Sequence, residues 1–208
     1  MGRVFVIGLT GGLGTGKSTV AEMLREKGAV VIQADQLGHQ VYEPGRPAYY
    51  EILEAFGPQV LGDGGRIDRR RLAQLVFADA EALARLNRIT HPRIRQAMQE
   101  QLAQLARQEG VQVAVVEAAL LLEAGWDDLV DEIWVTVAPP EVAAQRAAAR
   151  SGIPVEEAMA RIRAQLDNEK RAQRAHVVID TSCPLEETRR QVEEEWQKLT
   201  ARLTGRER

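Results

Sequence analysis

The feature that most constrains the fold lies near the start of the sequence, where an apolar run gives way to a glycine-rich segment. Val4–Ile7 has the β-branched and aromatic residues typical of a buried strand, and residues 11–18 then read GGLGTGKS. Good helix formers follow as far as Gly28. A strand, a G-x-x-x-x-G-K-[ST] segment and a helix in this order predict a phosphate-binding loop.

The residue types of this loop suit a triphosphate. Glycines let the backbone wrap closely and point N–H groups inward, while the N-terminus of the following helix adds positive potential. We expect Lys17 to reach the β- and γ-phosphates and the Ser18 hydroxyl to hold Mg²⁺. A glycine-rich turn that binds nothing is the alternative. A dinucleotide loop is disfavoured, because the segment does not spell G-x-G-x-x-G.

Composition limits the class of protein. A chain of 208 residues with 45% hydrophobic content predicts one globular unit, with room for subdomains. A net charge of −3 argues against nucleic acid or an anionic membrane as the main partner. The sequence shows neither a long apolar run nor a secretory signal, so we expect a cytoplasmic protein. Cys183 is its single cysteine, which excludes an internal disulfide.

Continuously apolar runs alternate with helical patterns along the chain, which is typical of a parallel sheet between helices. The predicted fold class is therefore α/β. The runs predicted as strands are 4–7, 30–32, 111–116, 133–137 and 177–179. The segments predicted as helices are 17–27, 92–109, 140–150, 155–174 and 184–203.

The spacing between predicted strands is uneven and suggests a division of the chain. Residues 1–34, 111–138 and 175–208 are interpreted as a nucleotide-binding core. Residues 35–110 are far longer than one crossover requires and are interpreted as a mostly helical region for the phosphate acceptor. Within it, Asp68 is expected to cap a helix that ends at Phe77. Residues 139–174, helical and rich in arginine, are interpreted as a lid.

Two carboxylates follow predicted strands, at the edge where ligands of open α/β sheets bind. Asp35 comes directly after the second strand and could accept the proton of an attacking hydroxyl group, although a surface or helix-capping role is equally open. Glu117 directly follows the third predicted strand and could organise Mg²⁺ or contact the substrate, the alternative being a solvated strand end. Glu123 is interpreted as capping a turn.

Charged residues of the predicted lid form a further candidate set. Arg146 and Arg150 are four residues apart and share a helix face, from which guanidinium groups could stabilise a transferring phosphoryl group. A solvated helix face is the alternative; Arg150 is favoured over Arg146, and little weight falls on Arg171. His91 precedes Pro92 and is expected either to cap the helix beginning there or to contact the substrate. The three histidines show no ligand spacing, which makes a zinc site improbable.

Several motifs in this order resemble the dephospho-coenzyme A kinase family over nearly the whole chain. They are the glycine loop, Ala34-Asp35, Phe56-Gly57, the DGGRIDR segment of residues 63–69, Val76-Phe77, His91-Pro92, the LLLE segment of residues 120–123 and the Arg146–Arg150 spacing. The resemblance implies a P-loop kinase fold and ATP-dependent phosphorylation of the ribose 3′-hydroxyl of dephospho-coenzyme A, the last step of coenzyme A synthesis. It implies ATP and dephospho-coenzyme A as substrates, with Mg²⁺ as cofactor.

Site roles follow from this resemblance residue by residue. Asp35 matches the catalytic acid of the family, His91 a residue near the acceptor, and Arg150 a lid arginine near the phosphates. Lys17 joins Asp35 and Arg150 as catalytic, while Asp35, His91 and Glu117 are expected to bind the acceptor. The residues expected to bind ATP are Gly12, Gly14, Thr15, Gly16, Lys17, Ser18, Thr19 and Arg146.

The chain departs from the usual family pattern at Gln33, Ala119 and His176, which affects the acceptor and adenine pockets rather than the reaction class. A nucleoside monophosphate kinase is the alternative, because it has the same loop and also uses a lid, but the motif of residues 63–69 and His91 have no known role there. Residues 35–38 also spell the D-x-x-G of GTPases. No guanine-reading N/T-K-x-D sequence accompanies it, so that match is interpreted as chance.

Overall fold

In the computed structural model, residues 3–77 and 79–206 are described, and they divide into two units. The first unit contains the described residues up to Ile32 and those from Leu105 onward. The second unit is Gln33–Gln104. The glycine loop and the sheet belong to the first unit, while Asp35 and His91 belong to the second.

A five-stranded sheet forms the centre of the first unit, and the predicted parallel α/β fold is confirmed. β1 is parallel to β3 and β4, and β4 is parallel to β5, so the carboxyl ends of these strands share one edge. At that edge Leu9 pairs with Glu117, and Gly11 pairs with Thr136. The strands are β1 (Phe5–Gly11), β2 (Val30–Gln33), β3 (Val113–Glu117), β4 (Glu132–Val137) and β5 (Val177–Asp180), in the order β2-β3-β1-β4-β5.

Helices connect these strands and build the second unit. All the predicted helical segments contain helix, although two of the predicted boundaries are wrong. The helices are α1 (Lys17–Glu26), α2 (Ala34–Gln40), α3 (Pro47–Phe56), α4 (Arg69–Phe77), α5 (Ala80–Leu105), α6 (Pro140–Ser151), α7 (Val155–Arg163), α8 (Asn168–Gln173) and α9 (Leu185–Arg206).

Helices α1 and α9 pack with β1, β3 and β4 into the main hydrophobic core. Trp134, Val192 and Leu199 are fully buried in it, and Trp196 packs against it. Helix α9 therefore faces the core over most of its length. Leu185 is the exception, because its side chain at the start of the helix is 59% exposed.

The long helix of the second unit begins earlier than predicted. Proline at the first helical position suggested a start at Pro92, but α5 begins at Ala80 and contains Pro92. An interior proline removes a backbone donor and costs roughly 3 kcal/mol, so the sequence favours the wrong boundary. Beside it, the Thr90 hydroxyl donates to the Leu86 carbonyl at 3.0 Å and the Arg93 guanidinium donates to the Ile89 carbonyl at 2.5 Å. His91 is consequently inside a helix and does not cap one.

The single helix predicted for residues 155–174 is wrong, because α7 and α8 are separate. The break falls just before Asp167, whose carboxylate accepts a hydrogen bond from the Glu169 N–H at 2.9 Å and caps α8. Aspartate competes with helix interiors in this way by bonding nearby backbone N–H groups. The interruption directs residues 165–168 toward the glycine loop.

The second unit has its own core, which α3, α4 and part of α5 build. Ile52, Phe56, Val60 and Leu72 are buried together there. The predicted cap of α4 is confirmed, since the Asp68 carboxylate accepts hydrogen bonds from the N–H groups of Arg70 and Arg71 at 2.8 and 3.1 Å. Interaction with those N–H groups lowers the pKa of Asp68.

A helix that crosses a bilayer must be both long and predominantly apolar. Among the described residues, no helix combines the necessary length with the necessary apolar character.

Replacement of Leu199 tests the assignment of α9 to the core. We expect Leu199→Ala to lower the free energy of unfolding by about 2–5 kcal/mol, because it removes buried methyl groups and leaves a cavity. Denaturant titration followed by circular dichroism measures the change.

Leu185→Ala on the same helix is the matched control. Its side chain is mostly exposed, so the unfolding free energy should change by about 0.5 kcal/mol or less. Equal effects of the two substitutions would contradict the packing described for α9.

Candidate active site

The glycine loop joins β1 to α1 and approaches another helix very closely. Gly14 has φ +76°, a conformation that costs glycine little. A Cβ atom at this position would lie 2.0 Å from the Ala143 carbonyl oxygen of α6. Only glycine therefore fits where the loop passes α6, which explains why residue 14 of the motif is a glycine.

Threonine side chains fasten the inner face of the loop to the ends of β4 and β5. The Thr15 hydroxyl lies 2.8 Å from both the Gly12 carbonyl oxygen and the Thr136 hydroxyl. The Thr181 hydroxyl lies 3.0 Å from the Thr15 carbonyl oxygen. Thr15, Thr136 and Thr181 are buried, so these bonds form away from water and hold the loop's shape.

Lys17 and Ser18 are the first residues of α1, and both meet oxygen atoms. The Lys17 ammonium donates to the carbonyl groups of Gly11 and Gly12 at 2.8 and 3.3 Å. The Ser18 hydroxyl donates to a carboxylate oxygen of Glu117 at 2.8 Å. Glu117 is 9% exposed and ends β3 beside the loop. The structure thus brings Ser18 and Glu117 together, although 99 positions separate them in the sequence.

Arg146 and Arg150 lie one helical turn apart on α6 and have different surroundings. The Arg146 guanidinium donates to the hydroxyl and carbonyl oxygen of Thr181, at 3.2 and 2.8 Å. Arg150 is exposed and makes no hydrogen bond or ion pair within the described ranges. A cavity of about 250 Å³ lies beside Arg146 and the start of α1. Residues that line it include Gly16, Thr19, Arg146, Thr181, Cys183 and Thr188.

One ion pair near the loop was missed by the sequence analysis. The Arg171 guanidinium is 1% exposed and contacts the Glu123 carboxylate at 2.6 Å. Arg171 lies among charged residues of a short helix, a pattern that indicates a solvated face, and Glu123 looked like a turn cap. Neither residue belongs to a periodic pattern in the sequence. Their pairing depends instead on how residues 118–125 pack against α8.

Two of the three candidate acceptor residues, Asp35 and His91, lie in the second unit, whereas Glu117 belongs to the first. Asp35 is exposed on the first turn of α2, directly after β2. His39, one turn later, is hydrogen-bonded to the Tyr42 hydroxyl at 3.0 Å. Partial burial, and then the charge of Arg69, lowers the pKa of His39, while Asp35 opposes this shift. Burial likewise lowers the pKa of His91, so neutral imidazole is favoured at both positions.

Taken together, the fold and the site define a class of protein. A parallel sheet, a GGLGTGKS loop after its central strand and a serine–carboxylate pair at the strand ends are the parts of a P-loop phosphotransferase. Within this class, the family model for dephospho-CoA kinase (CoaE) matches residues 5–187. The chain belongs to the dephospho-CoA kinase family, whose members phosphorylate dephospho-CoA with ATP in the final step of coenzyme A biosynthesis.

Individual relatives agree with the family assignment. The chain is 46% identical to the dephospho-CoA kinase of Moorella thermoacetica, over 96% of this chain and 94% of the relative. It is 48% identical to that of Geobacter sulfurreducens, over 93% of this chain and 98% of the relative. The solved dephospho-CoA kinase of Campylobacter jejuni matches with a TM-score of 0.69 and 27% identity, over 93% of this chain and 96% of that one.

The close approach of Gly14 to α6 gives a test of the loop geometry. We expect Gly14→Ala to reduce ATP affinity at least tenfold, because the added methyl group collides with the Ala143 carbonyl and displaces the loop. Isothermal titration calorimetry with ATP measures the loss.

Gly28→Ala provides the control for backbone strain alone. Gly28 also has a positive φ, +98°, but a Cβ atom there would meet nothing within 4 Å. This variant should lose some stability and keep its ATP affinity. Wild-type ATP affinity in Gly14→Ala would show that the contact with α6 does not shape the loop.

Proposed function

We propose that this chain phosphorylates dephospho-CoA with the glycine loop as its triphosphate-binding element. Glycine-loop N–H groups and the N-terminus of α1 bind the phosphates, and Lys17 exchanges its loop carbonyl partners for phosphate oxygens. The cavity beside Arg146 is proposed to take the base of ATP, because Gly16 of the loop and Thr19 of α1 line it. Thr181 connects this cavity to the loop through Thr15.

Ser18 and Glu117 are proposed to hold Mg²⁺. Mg²⁺ prefers oxygen ligands and is usually held by one or two carboxylates, waters and substrate phosphates. A serine hydroxyl 2.8 Å from a nearly buried carboxylate at the phosphate loop fits this donor set. Bound Mg²⁺ neutralises charge on the β- and γ-phosphate oxygens. This contact between Ser18 and Glu117 is the observation on which the proposed site depends most. It favours a metal-organising role for Glu117 over direct acceptor binding.

Asp35 is proposed as the group that orients the ribose 3′-hydroxyl and accepts its proton. Its carboxylate is exposed, directly follows β2, and matches the family's catalytic acid. Catalysis of phosphoryl transfer depends mainly on positioning and charge stabilisation, and one carboxylate near the nucleophile is the recurring base. His91, whose neutral imidazole can accept or donate a hydrogen bond, is proposed to contact the acceptor.

Arg150 is proposed as the lid arginine that contacts the transferring phosphoryl group. Its guanidinium is exposed, whereas Arg146 on the same face is held by Thr181. A positioned guanidinium stabilises the negative charge of the transition state. We accordingly propose residues 139–174 as the lid, residues 35–110 as the acceptor region and the remaining segments as the nucleotide-binding core. A small metabolic kinase of this kind is expected in the cytoplasm.

Asp35→Asn tests the proposed base. We expect kcat with dephospho-CoA to fall by a factor of about 10²–10⁴, because the amide cannot accept the proton. ATP affinity should change by less than about twofold, since the proposed role concerns the acceptor. A coupled assay of ADP release measures kcat, and calorimetry measures ATP binding.

The assay should include AMP and water as alternative acceptors for the wild type. Glu54→Gln, which neutralises another exposed carboxylate of the same unit, is the matched control and should keep wild-type turnover. Wild-type kcat in Asp35→Asn would remove Asp35 from the catalytic role. Turnover by the wild type with AMP but not with dephospho-CoA would contradict the acceptor.

Glu117→Gln tests the proposed metal site. We expect the Mg²⁺ concentration for half-maximal activity to rise about ten- to a hundredfold, because the variant loses the carboxylate charge that organises the ion. The measurement is a Mg²⁺ titration of ADP release at saturating ATP and dephospho-CoA.

Glu186→Gln, at the exposed start of α9, controls for the general loss of one negative charge and should leave the titration unchanged. A Glu117→Gln variant with an unchanged Mg²⁺ requirement and a raised KM for dephospho-CoA would instead assign Glu117 to the acceptor.

A further inference from the structure

Three polar side chains from outside the loop surround Gly12. Gln165 precedes α8, while Asn168 and Arg171 belong to that helix. A Cβ atom built on Gly12 would lie 3.4 Å from the Asn168 amide oxygen, 3.5 Å from the Gln165 amide oxygen and 3.6 Å from a guanidinium nitrogen of Arg171. We name these three residues the polar cluster.

Leu13 is the loop residue that this part of the chain holds most directly. Its N–H donates to the Gln165 amide oxygen at 2.8 Å. Its side chain packs against the apolar cluster that α6 and α7 form around Ala144 and Ala158. The backbone and the side chain of Leu13, inside the glycine loop, are therefore both held by residues 140–165.

The polar cluster is itself anchored to the sheet. The Asn168 amide donates to the Ala138 carbonyl, after β4, at 3.3 Å. Arg171 donates to the Leu166 carbonyl at 2.5 Å and contacts Glu123, after β3, at 2.6 Å. Its guanidinium is almost fully buried, and its Nε finds no hydrogen-bond partner among the described residues. A buried charge paired in this way resists displacement, because breaking the pair leaves an uncompensated ion.

We propose that Gln165 is a positioning residue for phosphate binding, acting through the Leu13 peptide. By holding that N–H, Gln165 fixes the orientation of the loop before ATP binds, so that less conformational entropy is lost on binding. The Leu13 N–H thereby donates to a protein acceptor, while the N–H groups that follow it in the loop bind the phosphates. The inference rests on the proposed use of this loop for ATP.

Gln165→Met removes the acceptor oxygen and keeps the side chain's length. We expect the affinities for ATP and ADP to fall about three- to tenfold, the effect of losing one neutral hydrogen bond. KM for dephospho-CoA should change by less than twofold, and Tm by less than about 2 °C. Calorimetry measures nucleotide binding, and amide hydrogen exchange of Leu13 should accelerate by a similar factor.

Two further variants separate positioning from general structural support. Gln165→Glu keeps an acceptor oxygen, so Leu13 should retain wild-type exchange protection. Gln173→Met, at an exposed position of α8, should match the wild type in every measurement. The inference is overturned if Gln165→Met binds ATP as the wild type does. It is equally overturned if Tm falls while the affinities for both substrates decline together, or if Leu13 exchange is unchanged.

Nucleotide binding and amide exchange do not require the acceptor, so the two proposals fail separately. A wild-type chain that binds ATP but does not phosphorylate dephospho-CoA contradicts the proposed function. The effect of Gln165→Met on ATP affinity and on Leu13 exchange still decides the role of Gln165 in that case.

Discussion

The glycine loop must keep several backbone N–H groups available for phosphate while contacts with the sheet and with α6 hold its shape. Buried hydroxyl groups of Thr15 and Thr181 fasten it to the sheet, and Gly14 passes α6 where no side chain fits. Hydrogen bonds in a buried environment are strong because water cannot compete for them. The loop is therefore shaped by its supports before a nucleotide arrives, which lowers the cost of ordering it on binding.

Most charged side chains around the loop are likewise held by partners within the protein. Lys17 contacts loop carbonyl oxygens, Ser18 contacts Glu117, and Arg171 is paired with Glu123. Arg150 contrasts with these held groups because it is exposed, which is why we propose it for a contact made during the reaction. The chain belongs to a kinase family, and side chains held in place around a phosphate loop are an arrangement that allows electrostatic stabilisation without reorganisation at the moment of transfer.

Much of the fold could be predicted because its signals are local. Short apolar runs indicated every strand of the sheet, and the GGLGTGKS segment located the phosphate loop together with its strand and helix. Errors arose where a tertiary context overrides a local preference. Pro92 favours a helix start but lies inside α5, and Asp167 divides a helix that periodicity extended through it. Leu185 is apolar yet remains exposed, because α9 reaches the core only further along.

The sequence by itself determined the phosphate loop, the fold class and the family, because residue types at short spacing carry that information through backbone geometry. Only the tertiary structure decided that Glu117 meets Ser18, that Arg171 is buried against Glu123, and that Gln165 holds Leu13. These partners are separated by up to 152 positions along the chain. Their pairing follows from strand order and from the packing of α6–α8, and no local propensity encodes a contact between side chains so far apart.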